Sequence, residues 1–170
     1  LLDNGWFRTM TRDDVTLCTD PVVEVREHSV VDANGVEHPA DILVLATGFQ
    51  AVRVLGPMEV RGRSGKSLRE VWGEDDARAY LGTTVPDFPN FFLLLGPNTF
   101  GAHGGSAALT MEMQVRHVLS LLLTLASGEA TSIEVRQEVF EAYDRRISDA
   151  LTRTIWSHPG MTTYYRNAAG

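Results

Sequence analysis

The sequence predicts an α/β fold, and three features carry that expectation. Its first third is a series of short β-prone runs. Two strongly apolar runs, residues 42–45 and 91–95, each end in turn-forming residues. Its last third repeats apolar residues at helical spacing.

In the first third, residues 15–19 are apolar and β-prone. Val22, Val23 and Val25 follow Pro21 and predict a second strand. Ser29, Val30 and Val31 lead into Asp32-Ala33-Asn34-Gly35. Asn-Gly between apolar runs predicts a hairpin, because both residues tolerate positive φ. The continuous run 42–45 ends at Gly48, which predicts a strand buried on both faces, as in a parallel sheet.

The middle is punctuated by Gly56, Pro57, Gly62, Gly65 and Gly73, with a short helix expected around residues 68–72. The run 91–95, stopped by Gly96-Pro97-Asn98, predicts a second buried strand, parallel to and neighbouring the first. A glycine-rich loop, 101–105, follows. Ala108, Met111, Val115, Val118, Leu122 and Leu125 then recur at spacings of three and four. They predict a helix over 106–127 that Gly128 ends, with its second half buried. Val139, Tyr143, Ile147 and Leu151 predict another over 136–155. Val115, Leu122, Ile147 and Leu151 are the expected core positions. Glu141 with Arg145 and Asp149 with Arg153 are acid-first i,i+4 pairs for the outer face of that last helix.

With 170 residues, 44% of them hydrophobic, the chain can form one ordinary core. A formal charge of -7 without a basic cluster argues against nucleic-acid binding. The single cysteine, Cys18, precludes an intramolecular disulfide and suits a reducing, cytoplasmic setting; it is expected to be a buried, inert thiol. No signal peptide opens the chain, and its most apolar run, 118–126, is too short to span a bilayer. Leu1 and Leu2 do not read as a natural start, as if the chain began in the middle of something.

Several motifs fail on inspection. Gly65-Lys66-Ser67 lacks the upstream glycine of a phosphate-binding loop, Val60 standing there instead. His103-Gly104-Gly105 resembles a lipase oxyanion loop, but the chain holds no Gly-x-Ser-x-Gly. His28, His38, His103, His117 and His158 are scattered without i,i+4 pairs, so no metal site is expected. No Gly-x-Gly-x-x-Gly occurs, hence no dinucleotide fingerprint.

Two strand exits remain. Ala46, Thr47 and Gly48 stand where a parallel strand would end, the place at which open α/β sheets bind ligands. Gly96-Pro97-Asn98 leads through Gly104 and Gly105 to a helix start at Ser106. Glycine permits close approach, and a helix start offers free N–H groups to an electron-rich ligand. Taken singly, each is equally a tight strand exit or a loop with a Ser N-cap.

Their combination resembles the C-terminal region of flavin-dependent Baeyer–Villiger and flavin-containing monooxygenases, particularly those similar to 4-hydroxyacetophenone monooxygenase. The matching stretches are residues 41–49, then Trp72, then Ala79-Tyr80-Leu81-Gly82 and Asp87-Phe88-Pro89-Asn90-Phe91-Phe92. Gly96-Pro97-Asn98-Thr99, His103-Gly104-Gly105-Ser106 and Glu112-Met113-Gln114-Val115 also match, as do Trp156, Gly160 and Tyr164-Tyr165-Arg166-Asn167.

The resemblance implies a partial FAD/NAD(P)-binding fold of two dinucleotide domains, each discontinuous in sequence. Residues 1–47 would complete the NADPH domain and 48–170 the FAD domain. Ala46, Thr47, Gly48 and Phe49 would lie against FAD, and Asn98, Gly104, Gly105 and Ser106 near the flavin ring. The implied enzyme uses NADPH to reduce FAD and places one oxygen atom of dioxygen on a ketone or a soft heteroatom. Nitrogen or sulfur oxidation, a flavin reductase, and a non-catalytic, self-associating domain are the alternatives. The family's glycine-rich motifs and its catalytic Arg would precede Leu1, and the family usually continues past Gly170. No residue here is therefore expected to be catalytic, and the chain alone is expected to be inactive and to carry neither FAD nor NADPH. Small-molecule substrates are implied; nucleic acid and membrane are not.

Overall fold

The computed structural model describes residues 4–99, 106–161 and 163–167. The chain divides into two compact units, Leu1–Gly48 and Phe49–Gly170.

In the first unit, a one-turn helix α1 (Trp6–Thr9) starts at Gly5, whose φ is 86°. A three-stranded antiparallel meander follows: β1 (Val22–Val25), β2 (Ser29–Asp32) and β3 (Glu37–Pro39), in the order β1-β2-β3. Val25 pairs with Val30 and Val30 with His38. The central strand β2 carries the burial, at Ser29, Val31 and Asp32, whereas β1 is exposed throughout.

The hairpin forms at the expected Asn34-Gly35. The Gly35 N–H donates to the Asp32 carbonyl at 2.9 Å, and the Asp32 N–H to the Val36 carbonyl at 3.0 Å. Only Gly35, at φ 81°, takes the left-handed conformation. The Asp32 carboxylate replaces the second such residue by accepting the N–H groups of Asn34 and Val36.

Two expected strands are absent here. Residues 15–19 are irregular, and so are 42–45. Ile42 is 83% exposed and Val44 79%, and the Ala46 N–H turns back to the Val44 carbonyl at 3.1 Å. An apolar run becomes a strand only when a neighbouring strand takes up its N–H and C=O groups, and among the described residues no strand pairs with 42–45. Cys18 is exposed rather than buried.

The second unit is built around Leu68, Trp72, Ala79, Val85, Phe88 and Leu93, with Val54, Leu55, Val60, Ala77 and Phe91 packed against them. Helix α2 (Leu68–Trp72) lies where expected. It opens on a capping box, in which Ser67 Oγ accepts the Glu70 N–H and the Glu70 carboxylate accepts the Ser67 N–H. Its Leu68 and Trp72 are buried, and Trp72 Nε1 donates to the Arg78 carbonyl at 2.9 Å.

Residues 91–95 line this core but are not a strand. Their donors go elsewhere: the Leu93 N–H to the Thr83 carbonyl at 2.8 Å, and the Leu95 N–H to the Gln114 side chain at 2.8 Å. Leu93 is buried, Leu94 is half exposed, and Leu95 takes φ 51°. The expected parallel pairing of 42–45 with 91–95 is therefore corrected: the antiparallel meander is the one sheet among the described residues.

Helices α3 (Ala107–Ala126) and α4 (Gln137–Leu151) lie where the pair is expected, α3 at nearly the expected length and α4 ending four residues early. Their burial does not match. Val115, Leu122 and Leu151 are exposed and Ile147 is half-buried. The buried residue of α3 is Gln114; in its apolar second half Leu119, Leu122 and Leu123 are exposed and Val118, Leu121 and Leu125 half-buried. Amphipathic spacing identifies the helix; burial also requires an element to cover it, and the described residues do not supply one. Glu141 and Arg145 approach to 4.0 Å as expected, whereas α4 stops short of Arg153. Tyr143 of α4 meets Tyr80 edge-on at 5.1 Å, and Asp144 pairs with Arg78 at 2.7 Å. No helix among the described residues is long and apolar enough to cross a membrane.

Candidate functional site

The sequence points to two segments, one around Gly48 and one leading to Ser106. Ala46, Thr47, Gly48 and Phe49 are irregular and exposed, Phe49 at 96%. Gly48 has φ 80°, and a Cβ built on it meets nothing within 4 Å. Among the described residues nothing crowds it, and it is the left-handed backbone conformation that favours glycine there.

The second segment is a tight turn on the core of the second unit. Gly96 and Pro97 are buried; Asn98 is exposed at φ 60°. The Thr99 N–H and hydroxyl both donate to the Gly96 carbonyl, at 3.2 and 2.7 Å. A Cβ on Gly96 would strike the Gly82 carbonyl, and one on Gly82 would strike the Thr99 methyl. Both glycines thus let the 96–99 turn pack directly on the 80–83 turn.

Gln114 locks this arrangement from α3. Its Oε1 accepts the Leu95 N–H, and its Nε2 donates to the Leu81 carbonyl at 3.3 Å. Two turns held in left-handed conformations, Leu81 at φ 52° and Leu95 at 51°, are therefore tied to one side chain. Gly82, Gly96 and Gln114 were not among the expected site residues. The signal for Gln114 was available: a polar residue on the helix face that also carries Met111, Val115 and Val118.

Gly104 and Gly105 lie outside the described residues. Ser106 is the N-cap of α3, exposed, with its carbonyl accepting the Thr110 N–H at 3.0 Å. Its hydroxyl makes no capping bond, and the first turn carries no acidic residue. Among the described residues, no side chain is thus seen to cap the N–H groups that open α3. Among the described residues no group of His, Cys, Asp and Glu is arranged to hold a metal ion. In this unit Asp76 and Asp144 hold the Arg78 guanidinium further up, burial raises the Tyr143 phenol, Ser67 holds the Glu70 carboxyl down, and the Tyr164 hydroxyl raises the Tyr165 phenol.

No family model matches the chain. An uncharacterized monooxygenase of Sinorhizobium fredii is 43% identical over 170 residues, which is 100% of this chain and 26% of that protein. A Baeyer–Villiger monooxygenase of Pseudomonas aeruginosa is 33% identical over 165 residues, 97% of this chain and 31% of that protein. The chain is homologous to a segment of the flavin-dependent monooxygenases. The crystal structure of OTEMO in complex with FAD and NADP superposes with a TM-score of 0.78 at 26% identity, covering 92% of this chain and 29% of that one. The chain spans about a quarter to a third of the length of these relatives.

Proposed function

We propose that this chain forms one wall of the flavin site in an FAD- and NADPH-dependent monooxygenase that inserts one oxygen atom of dioxygen into a ketone. The observation that carries the reading is the match to a Baeyer–Villiger monooxygenase over 97% of the chain. In such an enzyme NADPH supplies two electrons through FAD, one oxygen atom enters the product and the other leaves as water.

The residues present suit this role as binding groups. Ala46, Thr47 and Gly48 offer a backbone unobstructed by bulky side chains, with Phe49 as an apolar face. Asn98 presents an exposed amide on a turn fixed by Gly96, Thr99 and Gln114. Gly104, Gly105 and Ser106 lead into α3, whose opening N–H groups stabilise negative charge on the pyrimidine edge of reduced flavin. Residues 1–47 belong to the NADPH domain in this reading and 48–170 to the FAD domain. The chain by itself lacks a glycine-rich pyrophosphate turn, so alone it retains neither FAD nor activity.

The test uses the complete protein that contains this chain. Purified, it is expected to carry FAD and to oxidise NADPH faster when a ketone is added. Gly105→Val is expected to lower flavin retention or turnover with the thermal midpoint of the apoprotein little changed. A colourless protein without NADPH oxidation overturns the enzyme reading; a normal Gly105→Val variant overturns the placement of that loop. Faster turnover of amines or sulfides than of ketones would transfer the assignment to heteroatom oxidation, and NADPH oxidation without any oxygenated product to a reductase.

A further inference from the structure

His38 lies between a thiol and a carboxylate in the first unit. On one side its Nε2 is 2.9 Å from Asp32 Oδ2; on the other its Nδ1 is 3.8 Å from Cys18 Sγ. The Asp32 side chain is 5% exposed and that of His38 33%, while Cys18 is exposed. Asp32 Oδ1 accepts the N–H groups of Asn34 and Val36 at 2.9 and 3.0 Å. Asp32 is therefore fixed by the hairpin turn, and it fixes the imidazole in turn.

The order of groups defines the chemistry. Ionised Asp32 only accepts, so Nε2 carries the hydrogen and Nδ1 is left as the acceptor facing the sulfur. Thiol and carboxylate lie on opposite ring nitrogens, so the three groups cannot converge on one metal ion. They form a relay of nucleophile, base and orienting carboxylate. The other charged groups of the meander are engaged with one another: Arg26 with Glu24 and Glu37, both at 3.0 Å, and His28 with Glu27 at 3.7 Å.

We propose that Cys18 is a nucleophilic thiol for thiol–disulfide exchange with small disulfides, with His38 as its base and Asp32 as the positioning residue. His38 takes the thiol proton at Nδ1, and the thiolate attacks one sulfur of the disulfide. A sulfur–sulfur bond forms to Cys18 as the original one breaks, and the departing thiolate takes the proton back from His38. The product is a mixed disulfide at Cys18 and one free small thiol, with no outside oxidant or reductant. This modification is separate from any oxygenase chemistry.

The test measures reaction of the complete protein with oxidised glutathione, the mixed disulfide being located by mass spectrometry on the peptide that holds Cys18. Cys18→Ser supplies the background from any other thiol. At about pH 7 the wild type is expected to react about tenfold faster than the His38→Asn and Asp32→Asn variants, the difference closing above about pH 9, where an isolated thiol is ionised unaided. Asp32→Asn keeps an oxygen for the Asn34 and Val36 N–H groups, so the hairpin survives; unchanged circular dichroism of both variants confirms it. Equal rates and equal pH profiles in wild type and His38→Asn, or no mixed disulfide at Cys18, overturn the proposal.

Discussion

Gln114, midway along α3, accepts the backbone N–H of Leu95 at 2.8 Å. This bond joins the helix to a segment that spends its backbone donors on loop and side-chain acceptors instead of a sheet. Truncating the residue leaves a part-buried N–H without its acceptor. Gln114→Ala is expected to cost about 1–3 kcal/mol in chemical denaturation. Gln114→Glu, which keeps the acceptor for Leu95 and, once protonated, an O–H donor for the Leu81 carbonyl, is expected to cost less at a pH low enough to protonate it. Equal losses would mean that the side chain acts through packing alone.

The packing of the 96–99 turn on the 80–83 turn depends on the absence of a side chain. In Gly96→Ala the new Cβ meets the Gly82 carbonyl, a backbone atom that cannot swing away. A loss of about 1–3 kcal/mol is expected, as for other overpacked sites. Gly65→Ala, where a Cβ meets nothing within 4 Å, is the control for backbone strain alone, since Gly65 has φ 88°. A smaller loss in Gly96→Ala than in Gly65→Ala would contradict the close approach.

Asp32 makes the meander acid-sensitive. The hydrogen bond from His38 first, and then the Val36 and Asn34 N–H groups, hold its carboxyl below the usual carboxylate range. A carboxyl depressed on folding stabilises the fold at neutral pH, and that contribution is lost as pH falls through its folded value. Protection of the Val36 and Asn34 amides in hydrogen exchange should therefore fall on acidification. Asp32→Asn should flatten that dependence, and an unchanged acid profile in the variant would count against it.

The uncovered face of α3, with Leu119, Leu122 and Leu123 exposed, makes the isolated chain prone to associate. Gel filtration of the 170-residue chain is expected to show species larger than a monomer. Leu119→Glu with Leu122→Lys should move them toward the monomer without loss of helical signal. A monomeric parent chain would refute the expectation.

What was legible in the sequence followed from local periodicity. The spacing of Met111, Val115, Val118 and Leu122 located α3, and Ser67 with Glu70 opens α2 by a capping box. Asn34-Gly35 located the hairpin for the same local reason. The strands expected at 42–45 and 91–95 depended on partners that periodicity does not encode. Leu93 and Leu94 are equally apolar, yet one is buried and the other half exposed, because only Leu93 faces the core of the second unit. In the candidate site, the turn at Asn98 was legible from Gly-Pro-Asn. The contact of Gly96 with Gly82 was not, since it brings together two loops distant in sequence. Nor was the line from Cys18 through His38 to Asp32, which exists only once β3 pairs with β2.

Under the proposed function, the complete protein that contains this chain transfers one atom of dioxygen to an organic substrate. Turnover of a cyclic ketone with NADPH under isotopically heavy dioxygen tests it most directly, with the product read by mass spectrometry. The account predicts a lactone carrying a single heavy oxygen atom, formed in step with NADPH consumed. NADPH oxidation that yields only hydrogen peroxide with every ketone, amine and sulfide offered, or a lactone without the label, would contradict it.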